Sequence, residues 1–292
     1  MRTIQFGEIF LKIMTNCLKK KQMVEFIDNP NQDNLVELRN IGQSYDGGNN
    51  WVIKDLDLVI ENKPNQGQFV VILGMSGSGK STLLRYIAGL QEPTEGIVKL
   101  NNKPLGKDNR ASMVFQQYSS LPWMTVLENV ALALKFKGVS KKEREAKAMD
   151  IIKTMGLEGH EDKYAQYPSL SGGQLQRVAI GRSLLANANI LLMDEPFGAL
   201  DIKTRLHMQD LLTSLWRKFQ STIIFVTHDI AEAVYLADDI YILQANPGQV
   251  AKHIHVDLPL TRDRTTKRDP RFIELVHEVE DAMIELTEVV KQ

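Results

Sequence analysis

The chain contains a single cysteine, Cys17, which excludes an internal disulfide and any multi-cysteine zinc site. Cys17 itself reads as a small apolar residue. No stretch approaches the ~18 consecutive apolar residues that a membrane-spanning helix requires, so any work at a membrane needs another subunit to cross it. Glu8, Lys12 and Asn16 interrupt every candidate apolar core near the start, and no small-residue cleavage site follows, so a signal peptide is not expected. Net charge is nearly absent as well. The 35 Lys and Arg residues stand against 36 Asp and Glu, for a net of −1, which argues against nucleic-acid binding by bulk phosphate neutralisation and leaves room only for a local basic patch. What is present is ordinary globular material: 292 residues, 43% hydrophobic, enough for one large domain or two small ones.

Residues 1–33 stand apart. Phe6, Ile9, Phe10, Ile13, Met14 and Cys17 recur at helical spacing before Lys19-Lys20-Lys21 and a polar linker from Asp28 to Asn34. An amphipathic helix with adjacent lysines could rest on an anionic membrane surface or a partner. The plainer readings are a loosely ordered extension, or translation from Met23. The principal domain is expected over 34–267. Leu35 to Leu38 and Asp55 to Ile60 alternate polar and apolar residues, as in an antiparallel sheet. Phe69 to Leu73, Ile190 to Met193 and Thr222 to Val226 are instead continuous apolar runs, as in parallel strands covered on both faces. The core is therefore α/β. From about 118 to 168 the strand signal gives way to a helical insert. Within it Ser140-Lys141-Lys142-Glu143 predicts a capping box, opening a helix with Ala146, Met149, Ile151 and Ile152 on one side. After a strand at Ile240 to Leu243 and a turn at Asn246-Pro247-Gly248, residues 268–292 predict a final helix. Its apolar face would carry Phe272, Leu275, Val276, Val279, Met283 and Leu286.

Gly74-Met75-Ser76-Gly77-Ser78-Gly79-Lys80-Ser81 satisfies the P-loop pattern, with an apolar strand before it and helix formers after it. Its glycines let successive backbone N–H groups turn toward phosphates, and the helix N-terminus adds partial positive charge. A phosphate chain with Mg²⁺ is the expected ligand. Lys80 should reach the β- and γ-phosphates, Ser81 should give one oxygen to Mg²⁺, and Thr82 should add an α-phosphate contact. At the end of a later parallel strand, where ligands bind in α/β sheets, Asp194 and Glu195 emerge together. Neighbours on an extended chain point different ways, so Asp194 is assigned to the metal and Glu195 to polarising the attacking water. Ser171-Gly172-Gly173, ahead of a helical segment starting at Gln174, leaves a second helix N-terminus open to an anion with Ser171 as its cap.

The P-loop, then Leu170-Ser171-Gly172-Gly173-Gln174, then Leu191-Leu192-Met193-Asp194-Glu195, resemble in this order the nucleotide-binding subunit of an ATP-binding cassette (ABC) transporter. The resemblance covers 35 to about 245. It implies a P-loop NTPase cassette with a RecA-like parallel-sheet core, an antiparallel β subdomain and a helical subdomain. It further implies that Gln116 touches Mg²⁺ and the lytic water, that His228 faces the γ-phosphate, and that Asp201 contacts an opposite subunit. Tyr45 is the aromatic candidate for stacking on adenine, with Trp51 its rival because two inserted segments lengthen the spacing to the P-loop. Ser171, Gly172, Gly173 and Gln174 of one copy would face the P-loop of another, so two copies should clamp two ATP molecules.

Leu121-Pro122-Trp123-Met124-Thr125-Val126-Leu127-Glu128-Asn129-Val130 and the tail from Asn246 to Arg264 resemble the nitrate, sulfonate and taurine importer ATPases. Thr261 and the Gln174-Leu175-Gln176 continuation depart from that group. The resemblance implies integral membrane permease partners docking near Trp123 and Met124, indirect work with a solute-binding protein, and a peripheral place at the cytoplasmic face of the cell membrane. No nucleic acid is expected. Rival readings are a non-transport ABC ATPase acting on DNA, an ATPase of an export system, and a non-catalytic regulatory subunit. Intact Lys80, Asp194, Glu195 and His228 argue against the last. Among the remaining histidines only His253 and His255 have metal-type spacing, and alternation on a surface strand accounts for them.

Overall fold

A computed structural model describes residues 33–63, 66–106, 109–117, 119–186 and 189–289. Of the expected extension over 1–33, residues 1–32, with Cys17 and the three lysines, lie outside them. Two sheets organise the rest. Strands β1 (Asn34–Ser44), β2 (Trp51–Glu61), β4 (Glu95–Leu100) and β5 (Lys103–Pro104) form an antiparallel sheet in the order β2-β1-β4-β5. Strands β3 (Phe69–Gly74), β6 (Ser112–Val114), β7 (Ile190–Asp194), β8 (Thr222–Thr227), β9 (Asp239–Gln244) and β10 (Gln249–His255) form the second, in the order β10-β9-β3-β8-β7-β6. All pairs in it are parallel except β10 with β9.

The continuous apolar runs are explained by two-sided burial. Phe69, Val71 and Leu73 of β3 join one core cluster with Leu191, Met193, Ile223 and Phe225. The intervening Val70 and Ile72 join a second cluster with Leu192, Ile224 and Val226. Helix α1 (Lys80–Ile87) lies in the second cluster, where Leu83, Leu84, Tyr86 and Ile87 are buried with Leu38, Ile53 and Leu58 of the antiparallel sheet. The first cluster is covered by α4 (Gly172–Leu185), α5 (Ile202–Phe219), α6 (Ile230–Leu236) and α7 (Pro270–Val289). At its centre Phe69 meets Trp216 edge-on with centroids 5.8 Å apart. Where β1 shifts register against β4, Gly96 sits at φ +98°, and a Cβ there would lie 2.5 Å from the carbonyl oxygens of Arg39 and Asn40, so only glycine fits.

The segment between β6 and β7 contributes α2 (Val126–Phe136) and α3 (Lys141–Thr154) besides α4. Thr125 and Glu128 form a reciprocal capping box at the start of α2. Asn129, fully buried, accepts from the Leu121 N–H and donates to the carbonyls of Leu121, Met124 and Thr125. The loop before α2 is thus fastened from below, and Trp123 projects from it 70% exposed. Helix α3 differs from expectation twice. Its buried side is Ala148, Ile151 and Ile152, while Ala146 and Met149 face outward. Only half of the Ser140 capping box forms: Ser140 accepts from the Glu143 N–H, but the Glu143 carboxylate takes Lys147, one turn on, at 2.8 Å. The C-terminal helix buries Phe272, Leu275, Val279 and Ala282, with Val276, Met283 and Leu286 at the margin of the core.

Candidate functional site

The loop from Gly74 to Gly79 joins buried β3 to α1. Met75, Ser76 and Gly77 form its exposed crest, while Gly74, Ser78 and Lys80 are buried. Gly77 and Gly79 have φ of +82° and +90°, which turn the backbone over itself, and Gly79 caps α1 with no side-chain hydrogen bond. The first amides of α1 are therefore left open to a ligand. The Ser78 hydroxyl turns inward and has no hydrogen-bond partner, so this residue can offer a ligand only its backbone. Lys80 curls back over the loop, donating to the carbonyls of Gly74 and Met75, both at 2.8 Å. Burial lowers its pKa, and the carboxylates of Glu195 and Asp194 oppose that shift. Among the described residues its hydrogen bonds go to neutral carbonyls, which a buried ammonium is ready to exchange for an anion.

Ser81, in the first turn of α1, donates to Asp194 Oδ1 at 2.8 Å. Burial raises the Asp194 pKa, the Ser81 hydrogen bond opposes this, and the neighbouring Glu195 charge adds to the rise. Two oxygen donors beside open phosphate-facing amides suit a hard divalent cation, and Mg²⁺ fits them. Glu195 then departs from the extended chain that the sequence suggests. Its φ is +42°, an arrangement costing ~1 kcal/mol or more for a residue with a side chain, and its N–H is tied to the Val226 carbonyl at 3.0 Å. The left-handed step sends the two acids apart: Asp194 toward Ser81, and Glu195 toward His228, whose Nδ1 lies 3.2 Å from Glu195 Oε2. Gln116, exposed beyond the end of β6, reaches the same place from the other side. A Cβ at Gly198 would meet its amide nitrogen at 3.6 Å and Glu195 Oε2 at 3.9 Å.

Residues 171–174 open α4, and their polar partners differ. Ser171 Oγ accepts from the Gln174 N–H at 3.3 Å, Gln174 Oε1 accepts from the Ser171 N–H at 2.9 Å, and the Gln174 amide nitrogen touches His160 at 2.9 Å. Gly172 and Gly173 leave this end without side chains, and a Cβ at Gly173 would strike Thr204 at 2.6 Å. Asp201 caps α5, accepting from the Thr204 N–H at 3.0 Å. Thr82 is half-buried in α1. Tyr45 is 67% exposed, held at its hydroxyl by Gln91, whereas Trp51 packs against Gly42 under Lys54.

A family model described as ABC transporter matches residues 59–198, spanning the P-loop and the paired acids. The chain is 42% identical to the taurine import ATP-binding protein TauB of Pseudomonas fluorescens over 82% of its own length and 91% of the relative's. It belongs to the ABC transporter ATP-binding family. It is likewise 41% identical to the nitrate import ATP-binding protein NrtD of Synechocystis, over 84% of this cassette and 93% of that chain. Among solved structures, the dimeric bacterial ABC transporter cassette MJ0796 superposes with a TM-score of 0.65 at 36% identity, covering 77% of this chain and all of the other. That cassette is also known in a post-hydrolysis dimer with ADP and Pi. The fold expected from sequence is thus the fold found, and the chain is an ABC-type ATPase whose domain binds ATP.

Sequence reading missed the surroundings of the turn that carries His228. Glu232, 5% exposed, accepts from Thr227 at 2.7 Å and from Gln209 at 2.9 Å. Asp229-x-x-Glu232 carries the signal of a helix start, and Asp229 does cap α6, but the inward turn of Glu232 has no local signature.

Proposed function

We propose that the chain is the ATP-hydrolysing subunit that energises an importer for nitrate, a sulfonate, taurine or a similar small solute. The observation carrying this reading is the divergence of two adjacent acids: Asp194 meets Ser81 at 2.8 Å and Glu195 meets His228 at 3.2 Å. One acid is thereby reserved for a cation and the other for a proton. Lys80 leaves its two carbonyls for the β- and γ-phosphates of ATP, beside the uncapped first amides of α1 and Thr82. Ser81, Asp194 and Gln116 would hold Mg²⁺, which would supply positive charge to neutralise the phosphates. Glu195 takes the proton of the attacking water, whose oxygen bonds to the γ-phosphorus as the bond to ADP breaks. His228 orients Glu195 and faces the γ-phosphate. Tyr45, the exposed ring, stacks on adenine while Trp51 stays in the sheet.

The second phosphate-seeking helix end belongs to the other half of a pair. Ser171, Gly172, Gly173 and Gln174 bind ATP held by a second copy, and Asp201 touches that copy. The dimeric MJ0796 cassette supports this arrangement. No helix among the described residues is long and apolar enough to cross a membrane, so the chain works peripherally, on permease subunits at the cytoplasmic face and through them with a solute-binding protein. Their docking place is around exposed Trp123 and the groove between α2 and α3, where Met124, Leu127 and Ala131 are flanked by Glu128, Lys135, Lys141, Arg144 and Glu145. DNA-acting cassettes usually carry a long coiled coil between the positions of Lys80 and Ser171, where α2 and α3 here have 11 and 14 residues. Glu195→Gln should trap an ATP-bound dimer, seen by size-exclusion chromatography in ATP and Mg²⁺; a monomeric profile overturns the reading.

A further inference from the structure

The turn that carries His228 is not held by His228 itself, whose side chain is 65% exposed. The Asp229 N–H donates to Thr227 Oγ1 at 3.1 Å, a bond that spans His228. The Thr227 hydroxyl hydrogen goes in turn to Glu232 Oε2 at 2.7 Å. The opposite oxygen of Glu232 accepts from the Gln209 amide at 2.9 Å, and Gln209 Oε1 accepts from Lys267 Nζ at 2.9 Å. Lysine can only donate, so its contact with Gln209 fixes which way that amide faces. Gln209 must then donate to Glu232, and every donor in the chain converges on one buried carboxylate.

Lys267 comes from outside the catalytic core. It sits in a short 3₁₀ turn (Thr266–Arg268) ahead of α7, half-buried, with its ammonium 4.5 Å from the centre of the Tyr235 ring. The same stretch is seated by Arg262, 3% exposed, which donates to the carbonyls of Tyr235 and Ala237 at either end of the α6 terminus. Arg264 reaches Asp210 at 3.4 Å, and Asp210 also accepts from the Tyr235 hydroxyl. The α5 side of the turn is braced by Arg205, 3.6 Å from Asp229.

We propose that Glu232 and Lys267 are positioning residues for His228, so that the rate of ATP hydrolysis depends on residues 262–268 being seated on α5 and α6. This rests on the role assigned above to His228. Neither residue touches the nucleotide site, so the effect falls on turnover and spares ATP binding.

The test is steady-state ATPase kinetics on the full chain, alongside thermal melting. Lys267→Met keeps the aliphatic stem over Tyr235 and removes the donor; kcat should fall about fivefold or more, with KM for ATP held within about twofold. Lys267→Arg keeps a charged donor and should recover at least half of kcat. A Met variant with kcat within about twofold of the parent overturns the proposal, as does an Arg variant no faster than the Met variant, or a parallel rise in KM. Should Lys267→Met fail to fold, Lys267→Gln is read by the same criteria. His228→Ala in the same assay separates the two readings. If it retains full activity, the role of His228 fails; if it is inactive while Lys267→Met is normal, only the positioning chain fails.

Discussion

Helices α1 and α4 both begin among glycines, yet their N-termini are in opposite states. At α1 the cap is Gly79 in a left-handed conformation, no side chain satisfies the first amides, and Lys80 is parked on carbonyls of its own loop. At α4 the cap is Ser171, locked with Gln174 in a reciprocal pair that satisfies two amides. A side-chain cap is worth ~1 kcal/mol, whereas hydrogen bonds to an ionised phosphate are about twice as strong as neutral ones. The difference teaches which end acts alone. The α1 terminus is left open within the single chain, while the first amides of the α4 terminus are taken up by its own cap.

Substitutions at the two ends should therefore separate binding from turnover. The largest effect is expected from Lys80→Ala, which removes the only cation inside the loop: nucleotide affinity should drop and ATPase activity fall about a thousandfold. Fluorescent-nucleotide binding and phosphate release measure the two quantities. Ser171→Arg, which blocks the α4 terminus, should leave ATP affinity of the isolated chain within about threefold while hydrolysis falls about a hundredfold. If affinity and hydrolysis fell together, the contrast between the two helix ends would be lost. The smallest effect is on folding. Gln174→Ala deletes one arm of the reciprocal cap and should cost ~0.5–1 kcal/mol, lowering the melting temperature by about 2 °C. An unchanged melting curve would mean that α4 is as open as α1.

Legibility in the sequence follows the range of the forces involved. The P-loop is readable because its glycines, lysine and flanking strand act within a few residues. The α/β core is readable because strands buried on both faces must be apolar throughout, as Phe69 to Leu73 are. The buried face of α3 is not legible locally: Ala146 and Met149 fit a helical period as well as Ala148 does, and the packing of α2 and α4 against the helix selects among them. His253 and His255 read as a surface strand, which they occupy. Antiparallel pairing with β9 sets both against Asp239, at 2.9 and 3.1 Å. Burial alone would raise the Asp239 pKa, but these two histidines and Lys63 outweigh it and hold the carboxyl well below the usual range. Its contribution to stability is therefore present above the ordinary carboxylate pKa and lost as pH falls below it.

The sequence by itself determined the elements and the chemical inventory: a phosphate loop, a pair of acids at a strand end, a second glycine-rich helix start with a serine cap and no residue run able to cross a membrane. These are properties of short windows, set by backbone freedom and hydrophobic period. Tertiary structure decided which groups work together. Ser81 and Asp194 are 113 positions apart, and Lys267 and Gln209 are 58 apart; each pair meets only because the parallel sheet brings its strand ends and following helices to fixed places. Hydrogen bonds act over about 3 Å and carry no trace along the chain, so their partners are chosen by the packing of the elements that hold them.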